Sequence, residues 1–387
     1  MKKIAVILNL NKQYDRYLVA GIARYVREQG DWSLYLEDEP QLRVPDFETW
    51  RGDGIIADLD DEELYKQVIQ MKIPVVGLGG GYGLYSDNGQ IPYVFTDNKG
   101  IAELGAEHLY DRGFRNFAFC NIAPTEINGW AQERENYFKK FLKDKGCKCS
   151  VFSEKEKTRN WEGMLTNLMD WLKTLPKPLG LMAANDSKAR HVLEACRRLN
   201  IRVPEDVAVV GVDDDPMMCE LANPSLTSVI QGTDKLGYEA ARLLDRKMNG
   251  EKDVKGITVE PLGINVREST DILAIEDELI SEALYFIRQN ACNYIQVEDV
   301  SRHCSVSRST LEKRFKSILN QSVHNEIAKI QLKKACELLV ETTLPLKIVA
   351  EKSGFSTVQY MTMKVKEKTG KTPKNYRLSS KQSLEKF

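Results

Sequence analysis

The sequence predicts an α/β region of two lobes on parallel sheets, followed by an all-α domain with two helix-turn-helix units in tandem. Three observations carry that prediction. Across residues 1–270, short β-rich apolar runs alternate with amphipathic helical stretches. That is the pattern of βαβ units whose parallel sheet is covered on both faces. A stretch of this size is too long for one such sheet, so two lobes with a cleft between them are expected. Near the C-terminus charge and periodicity change together. Residues 302–387 hold 18 Lys and Arg against 7 Asp and Glu, a net charge of +11. Out of 55 basic and 56 acidic residues in all, this leaves 37 against 49 elsewhere, a net of −12. A basic module beside an acidic one fits phosphate contact through one end only.

Taken in order, strands are expected at 3–8, 33–36, 54–57, 75–77, 93–96, 116–120, 180–183 and 207–212. Helices are expected at 16–29, 62–71, 100–112, 131–145, 161–175 and 187–199. The first apolar run turns polar at Asn9, too soon for a secretory segment, and reads as a buried strand. No uncharged apolar stretch approaches the 18 or so residues of a membrane span, and the chain is expected in the cytoplasm. With 42% hydrophobic and 29% charged residues it has an ordinary globular composition. The first domain is expected over 1–270 and the second over 271–387, joined through about 267–275.

The two helix-turn-helix units are expected at about 297–319 and 346–369. In the first, Val300, the turn Ser305-Val306-Ser307, Leu311 and Phe315 are spaced as a helix, a break and a second helix. In the second, Ile348 and Val349, the break Gly354-Phe355, then Met361 and Val365 repeat the spacing. Such a pair braces a recognition helix for the major groove of a double-stranded DNA operator. Leu311 and Phe315, and Met361 and Val365, face the core, so their neighbours face outward. The candidates for DNA contact are therefore Arg308, Ser309, Glu312 and Lys313 in one helix and Gln359, Thr362 and Met363 in the other. Gln359 can pair bidentately with adenine and Lys313 can donate to guanine. Arg308 and Lys313 serve equally well as phosphate contacts.

In the first region polar residues follow the strand ends, where ligands of open α/β sheets bind. Asn11, Tyr14, Asp15, Asp58, Asp97, Asn98, Asn185, Asp186 and Asp213 through Asp215 lie there, and Arg134 lies early in a helix. Carboxylates, amides and a fixed guanidinium suit a neutral polyhydroxylated ligand such as a sugar. Helix capping explains the same residue types, and for Ser187, Asp214 and Asp215 it is the better account. The glycine-rich run Gly77-Leu78-Gly79-Gly80-Gly81 matches neither a dinucleotide fingerprint nor a P-loop and reads as a cleft loop. Eight scattered cysteines and four histidines offer neither a metal set nor a catalytic arrangement, so no metal, no cofactor and no enzyme activity is expected.

The residues also carry resemblances. Ser307 through Lys316, Leu332-Lys333-Lys334-Ala335, and Gly354-Phe355 through Tyr360 to Gly370, Thr372-Pro373 and Tyr376-Arg377 resemble the DNA-binding domain of the AraC family. Met361 and Val365 stand where that family usually has Phe, which implies looser packing of the second unit. Ala102 through Leu109, Asn185-Asp186, Val210 through Asp214 and Leu226 through Gln231 resemble the sugar-sensing domain of LacI-type repressors, itself periplasmic-binding-protein-like. Asn9 through Arg16, Asp53 through Asp58, Trp130 through Glu135 and Gln231-Gly232 resemble xylose-responsive activators of enteric bacteria. The resemblance implies D-xylose as effector, a homodimer, and activation of xylose uptake and catabolism genes with RNA polymerase as a further partner. It places sugar contacts on Asp15, Asp97, Arg134, Asn185 and Asp213, with Gly79, Gly80 and Gly81 beside them. Two alternatives stay open: the same architecture sensing another pentose, and a sugar-handling enzyme fused to a DNA-binding module.

Overall fold

A computed structural model describes residues 1–8, 10–29, 31–36, 49–60, 62–79, 91–123, 129–153, 160–272, 274–275 and 277–384, without the side chains of 379–384. The chain divides into two compact units, Met1–Ala274 and Ile275–Phe387.

The first unit holds two six-stranded sheets. One comprises β1 (Lys2–Ile7), β2 (Trp32–Leu36), β3 (Gly54–Asp58), β4 (Val75–Leu78), β5 (Tyr93–Thr96) and β11 (Ile257–Val259), in the order β11-β5-β4-β3-β1-β2. All its pairings are parallel; Ile4 lies opposite Leu34 on one side and Gly54 on the other. The other comprises β6 (Asn116–Cys120), β7 (Cys149–Phe152), β8 (Leu179–Ala183), β9 (Val207–Val212), β10 (Thr227–Ile230) and β12 (Gly263–Asn265), ordered β12-β10-β9-β8-β6-β7. Only its edge strand β12 runs antiparallel. Central strands such as β8 and β9 are buried along their whole length, as continuous apolar runs in doubly covered parallel sheets should be.

Helices cover both faces of each sheet. In the first lobe α1 (Gln13–Gln29) packs along α8 (Thr233–Met248), and α2 (Glu62–Ile69) supplies Tyr65 and Val68 to the opposite face. The contact between α1 and α8 is backbone to backbone. A Cβ on Gly21 would fall 1.8 Å from the Asp234 carbonyl oxygen, and one on Gly237 would fall 2.0 Å from that of Leu18. In the second lobe α3 (Asn98–Asp111) and α4 (Gly129–Asp144) bury Ile101, Leu109 and Phe138 against one face. Leu168 of α5 (Trp161–Lys173) and Val192 of α6 (Asp186–Arg198) fill the other face, where Cys219 of the short α7 (Pro216–Glu220) joins them.

Three crossings link the lobes: Thr96 to Asn98, Ile230 to Thr233, and Val259 to Gly263. They lie side by side, with the Asp97 amide donating to the Val259 carbonyl (3.0 Å) and the Leu262 amide to that of Ile230 (2.9 Å). Gly232 sits at φ +73°, a left-handed conformation that glycine adopts without steric cost.

The expected joint at 267–275 needs correction, because most of it belongs to the first unit. Glu268–Thr270 forms a 3-10 turn in which Ser269 and Thr270 are fully buried, and the Ala274 amide donates to the Arg112 carbonyl (2.7 Å). The Arg-Glu-Ser-Thr sequence reads as a solvated linker only because the hydroxyl partners are distant in the chain.

The second unit is helical: α9 (Glu278–Asn290), α10 (Val297–His303), α11 (Arg308–Leu319), α12 (Val323–Glu341), α13 (Leu346–Lys352), α14 (Val358–Thr369) and α15 (Pro373–Leu384). Its boundaries are capped. Ser307, Ser322 and Thr357 accept from the amides of Thr310, Asn325 and Tyr360, each cap worth about 1 kcal/mol. Asn320 and Gly370 end α11 and α14 in the left-handed conformation. The central α12, about 28 Å long at 1.5 Å per residue, packs against both α11 and α14. Buried Gln331 on it donates to the carbonyls of Ala291 (2.8 Å) and Gly354 (3.0 Å). Met361 and Val365 are both fully buried beside Ala335, Leu339 and Phe355, so the expected loosening has no counterpart in their exposure.

Candidate functional site

The strand ends of the two lobes bring charged side chains together in the first unit. Asp15, in the first turn of α1, is only 3% exposed. Burial pushes its carboxyl up to about 7, helped by the nearby charges of Asp58 and Asp213 and opposed by Lys12 and Arg16. Asp15 belongs to one lobe and Asp213 to the other, so the two carboxylates face across the gap between the sheets. Asp213 follows β9 at φ +114°, and burial raises it to about 6 against the opposing pull of Arg134, Gln231 and Lys12.

Arg134 organises the second lobe's side. It is 3% exposed and donates through Nε to Asn98 Oδ1 (2.9 Å), through Nη1 to the Ala184 carbonyl (2.8 Å) and through Nη2 to Gln231 Oε1 (3.0 Å). Its guanidinium lies 4.6 Å from the Trp130 ring centroid. Gln231, on the crossing before Gly232, completes the chain by donating Nε2 to Asp213 Oδ1. Asn98 in turn donates to Glu133 Oε2 (2.9 Å). A continuous polar relay therefore runs Asp213, Gln231, Arg134, Asn98, Glu133.

Of the five predicted contact residues, the structure groups Asp15, Asp213 and Arg134. The other two cap helices: Asp97 Oδ1 accepts from the Gly100 amide (3.0 Å) and Asn185 Oδ1 from the Lys188 amide (2.9 Å). Both sit next to the group, because Asn98 and Ala184, the adjoining residues, bond Arg134. Capping, expected of Ser187, falls to Asn185 instead, and Ser187 lies exposed in the first turn of α6. Asp215 caps α7 as expected, with Oδ1 accepting from the Met217 amide (2.9 Å). Gly79 has φ +59°, while Gly80 and Gly81 lie outside the described residues.

Sequence reasoning placed Asn98 and Asp186 among the polar residues after the strand ends but gave no contact role to them or to Gln231. Asp186 is 1% exposed, accepts from Ser228 Oγ (2.6 Å) and from the Asp215 amide (2.9 Å), and is held well above the usual carboxylate range by burial and by Asp213. A signal for it existed in Gly211, where a Cβ would lie 2.1 Å from Asp186 Oδ1. Among the described residues no group of three or more His, Cys, Asp or Glu is placed to hold a metal ion.

In the second unit, Arg308, Ser309 and Lys313 on α11 and Gln359 and Met363 on α14 are exposed, with Glu312 and Thr362 partly so. Leu311, Phe315, Met361 and Val365 are fully buried, which fixes the outward face of each helix. Arg308 is ion-paired with Glu298 of α10, which holds it at the start of α11. Arg314 pairs with Asp277, and Arg377 donates to the carbonyls of Leu339 (3.3 Å) in α12 and of Leu344 (2.6 Å) in the segment that follows it. Those two arginines belong to the scaffold.

Comparison with known proteins decides the family. The Xylose operon regulatory protein of Escherichia coli (strain K12) is 35% identical over 97% of this chain and 96% of its own length. The chain belongs to the family of xylose operon regulatory proteins. That of Haemophilus influenzae is likewise 35% identical, over 97% of this chain and 98% of its own. The solved structure of the xylose-binding transcription activator xylR superposes with a TM-score of 0.83, at 35% identity and 97% coverage of both chains. Residues 3–99 match the XylR N-terminal domain, residues 106–270 a periplasmic binding protein-like domain and residues 300–379 a helix-turn-helix domain. These xylose operon regulators are transcription regulators, and the two-lobed unit and tandem helix-turn-helix are their architecture.

Proposed function

We propose that this chain binds D-xylose between the lobes of its first unit and uses the second to recognise operator DNA, activating genes of xylose uptake and catabolism. The observation that carries the reading is the relay of Asp213, Gln231 and Arg134 on one lobe facing Asp15 on the other. A neutral polyol offers hydroxyls that donate to carboxylates and accept from a guanidinium. A ligand that bridges both lobes favours whichever lobe arrangement lets it touch both, and so shifts the population between arrangements. Asp15, Asp213 and Arg134 make the principal contacts. Asp97 and Asn185 contribute the polar atoms that capping leaves over, Oδ2 and Nδ2.

On α11 and α14, Arg308, Ser309, Glu312, Lys313, Gln359, Thr362 and Met363 form the DNA face; the pairing with Glu298 favours a positioning or phosphate role for Arg308. The regulator works as a homodimer in the cytoplasm, with RNA polymerase as a partner at the promoter. Among the described residues no helix is long and apolar enough to cross a membrane.

Calorimetric titration of the full chain with D-xylose, D-ribose and L-arabinose tests the sugar. Binding of D-xylose, weakened roughly 10- to 150-fold by Asp213→Ala for loss of a charged hydrogen bond, is the expected result. A tighter response to another pentose would move the effector. An unchanged titration in Asp213→Ala would sink the site assignment.

A further inference from the structure

The turn after β9 carries two consecutive left-handed residues that are not glycine, Asp213 at φ +114° and Asp214 at φ +51°. Such conformations persist only where the surroundings hold them, and they concentrate at functional sites. Here the grip is explicit. The Asp214 amide donates to Ser228 Oγ (2.9 Å), and that hydroxyl donates to Asp186 Oδ1 (2.6 Å). The Asp214 carboxylate takes Arg267 Nη1 at 2.7 Å on Oδ1 and Asn265 Nδ2 at 3.4 Å on Oδ2. Both partners of the ion pair are over four-fifths buried at the side chain.

Arg267 opens the segment that leads out of the first unit, and among its described residues Arg267, Ser269, Thr270 and Ala274 are bonded back to that unit. Arg267 Nη1 also donates to the Leu226 carbonyl (3.0 Å), and its amide donates to Thr227 Oγ1 (2.8 Å). Ser269 Oγ donates to the Val209 carbonyl inside β9 (2.7 Å). Thr270 Oγ1 meets Thr227 Oγ1 and His108 Nε2, each at 2.8 Å, while Arg112 Nε donates to the Thr270 carbonyl (2.8 Å). Burial and the neighbouring Arg112 depress His108 to about 3, so it is neutral and can accept from Arg112 on Nδ1 while donating from Nε2. The last bond is that of Ala274 to Arg112, at the final residue of the unit.

We propose that the Asp214–Arg267 ion pair couples sugar occupancy of the cleft to the exit segment 267–274, and through it to the DNA-binding unit. Asp213, whose carboxylate the sugar would take from Gln231, shares a peptide bond with Asp214. A shift of the Asp213 backbone is therefore passed to Asp214 and, through its carboxylate, to Arg267. The path from cleft to exit is then one peptide bond and one ion pair. Arg267 and Asp214 act as positioning residues and touch no sugar. The inference rests on the assignment of Asp213 as a sugar contact.

The test uses the full chain with Asp214→Asn, Arg267→Gln and Arg267→Lys, measuring D-xylose affinity by calorimetry and operator affinity with and without the sugar. Allosteric couplings are typically of roughly 5- to 150-fold. Xylose affinity within about threefold of the parent, with the sugar-dependent ratio of operator affinities reduced to near one in Asp214→Asn and Arg267→Gln, is the expected result. Arg267→Lys, which keeps a cation beside Asp214, should retain part of the ratio. A parental ratio in Arg267→Gln and Asp214→Asn overturns the coupling. A ratio near one in Arg267→Lys with intact xylose binding also overturns it, since segment packing rather than the ion pair would then be responsible. Loss of xylose binding in all three places the pair in the cleft itself and overturns the relay. Absence of xylose binding by the parent, or normal binding by Asp213→Asn, is a different failure, that of the cleft reading.

Discussion

The two units keep their working residues in opposite environments. In the first, Asp15, Arg134 and Gln231 are nearly inaccessible; Arg134 and Gln231 are hydrogen-bonded to distant parts of the chain, and Asp15 faces the like charges of Asp58 and Asp213. In the second, the residues offered to DNA stand on helix surfaces, while Leu311, Phe315, Met361 and Val365 carry the packing below them. A cleft that recognises a small polyol must desolvate charges before the ligand arrives, so its function costs stability. A surface that meets a phosphate backbone can leave its charges in water until contact. Function and stability are thus entangled in one unit and separable in the other.

The sharpest way to break that contrast is at Asp15. A carboxyl raised from an ordinary value near 4 to about 7 is neutral in both folded and unfolded states below pH 4. Between about pH 4 and 7 the unfolded chain gives up its proton first, so stability falls as pH rises through that window. At 1.36 kcal/mol per pKa unit the loss above pH 7 reaches up to about 4 kcal/mol. Urea unfolding of Asp15→Asn should show a gain of that order at pH 8, a flatter profile between pH 5 and 8, and weakened xylose binding. Equal slopes for parent and variant would mean that Asp15 is not strained.

Arg134→Ala should move the other way, losing about 3 kcal/mol in thermal or urea unfolding as well as xylose binding. Asn98, the Ala184 carbonyl and Gln231 would be left without their buried donor. Parental stability in this variant would reduce the relay to a crowded neighbourhood.

For the second unit the contrast is sharpened with salt. The segment 275–387, which holds its own core, should bind operator DNA without sugar. About four phosphate contacts would lower its affinity on the order of a hundredfold between 50 and 200 mM salt. Weak dependence would remove the electrostatic account. The smallest effects belong to Gln359→Ala and Lys313→Ala, each expected to cost roughly 1–3 kcal/mol of base discrimination and under about 0.5 kcal/mol of stability. Site selection with each variant separates a relaxed preference at one base pair from uniformly weaker binding, which would mark a phosphate contact.

The same contrast explains what could be read from sequence. The residues of the expected helix-turn-helix units fold as α10 with α11 and α13 with α14, on either side of α12, because Ser307, Thr357 and Gly370 signal the ends locally. Central strands such as 93–96, 116–120 and 207–212 were legible as apolar runs. Strands β7, β10, β11 and β12 were not, since Cys-Ser-Val-Phe or Gly-Ile-Asn becomes a strand only when a neighbouring edge accepts it. Helix α8 went unassigned although its apolar spacing is clear. In the cleft, Asp15 and Asp213 were legible as charged residues after strands and Arg134 as a charged residue early in a helix. For Asn98 and Gln231 only the fold brings them to Arg134, from 36 and 97 residues away.

The glycine saddle where α1 crosses α8 has a further consequence for anyone who would retune this regulator. With Gly21 seated on Asp234 and Gly237 on Leu18, the two helices touch main chain to main chain and form a single plank. Asp15 rides near one end of α1, and α8 starts at the Gly232 crossing. The plank therefore acts as a ruler that fixes how far Asp15 stands from that crossing. Engineering toward a larger or smaller polyol should spare both glycines, since a methyl on either would wedge the plank apart and displace the carboxylate from every ligand alike.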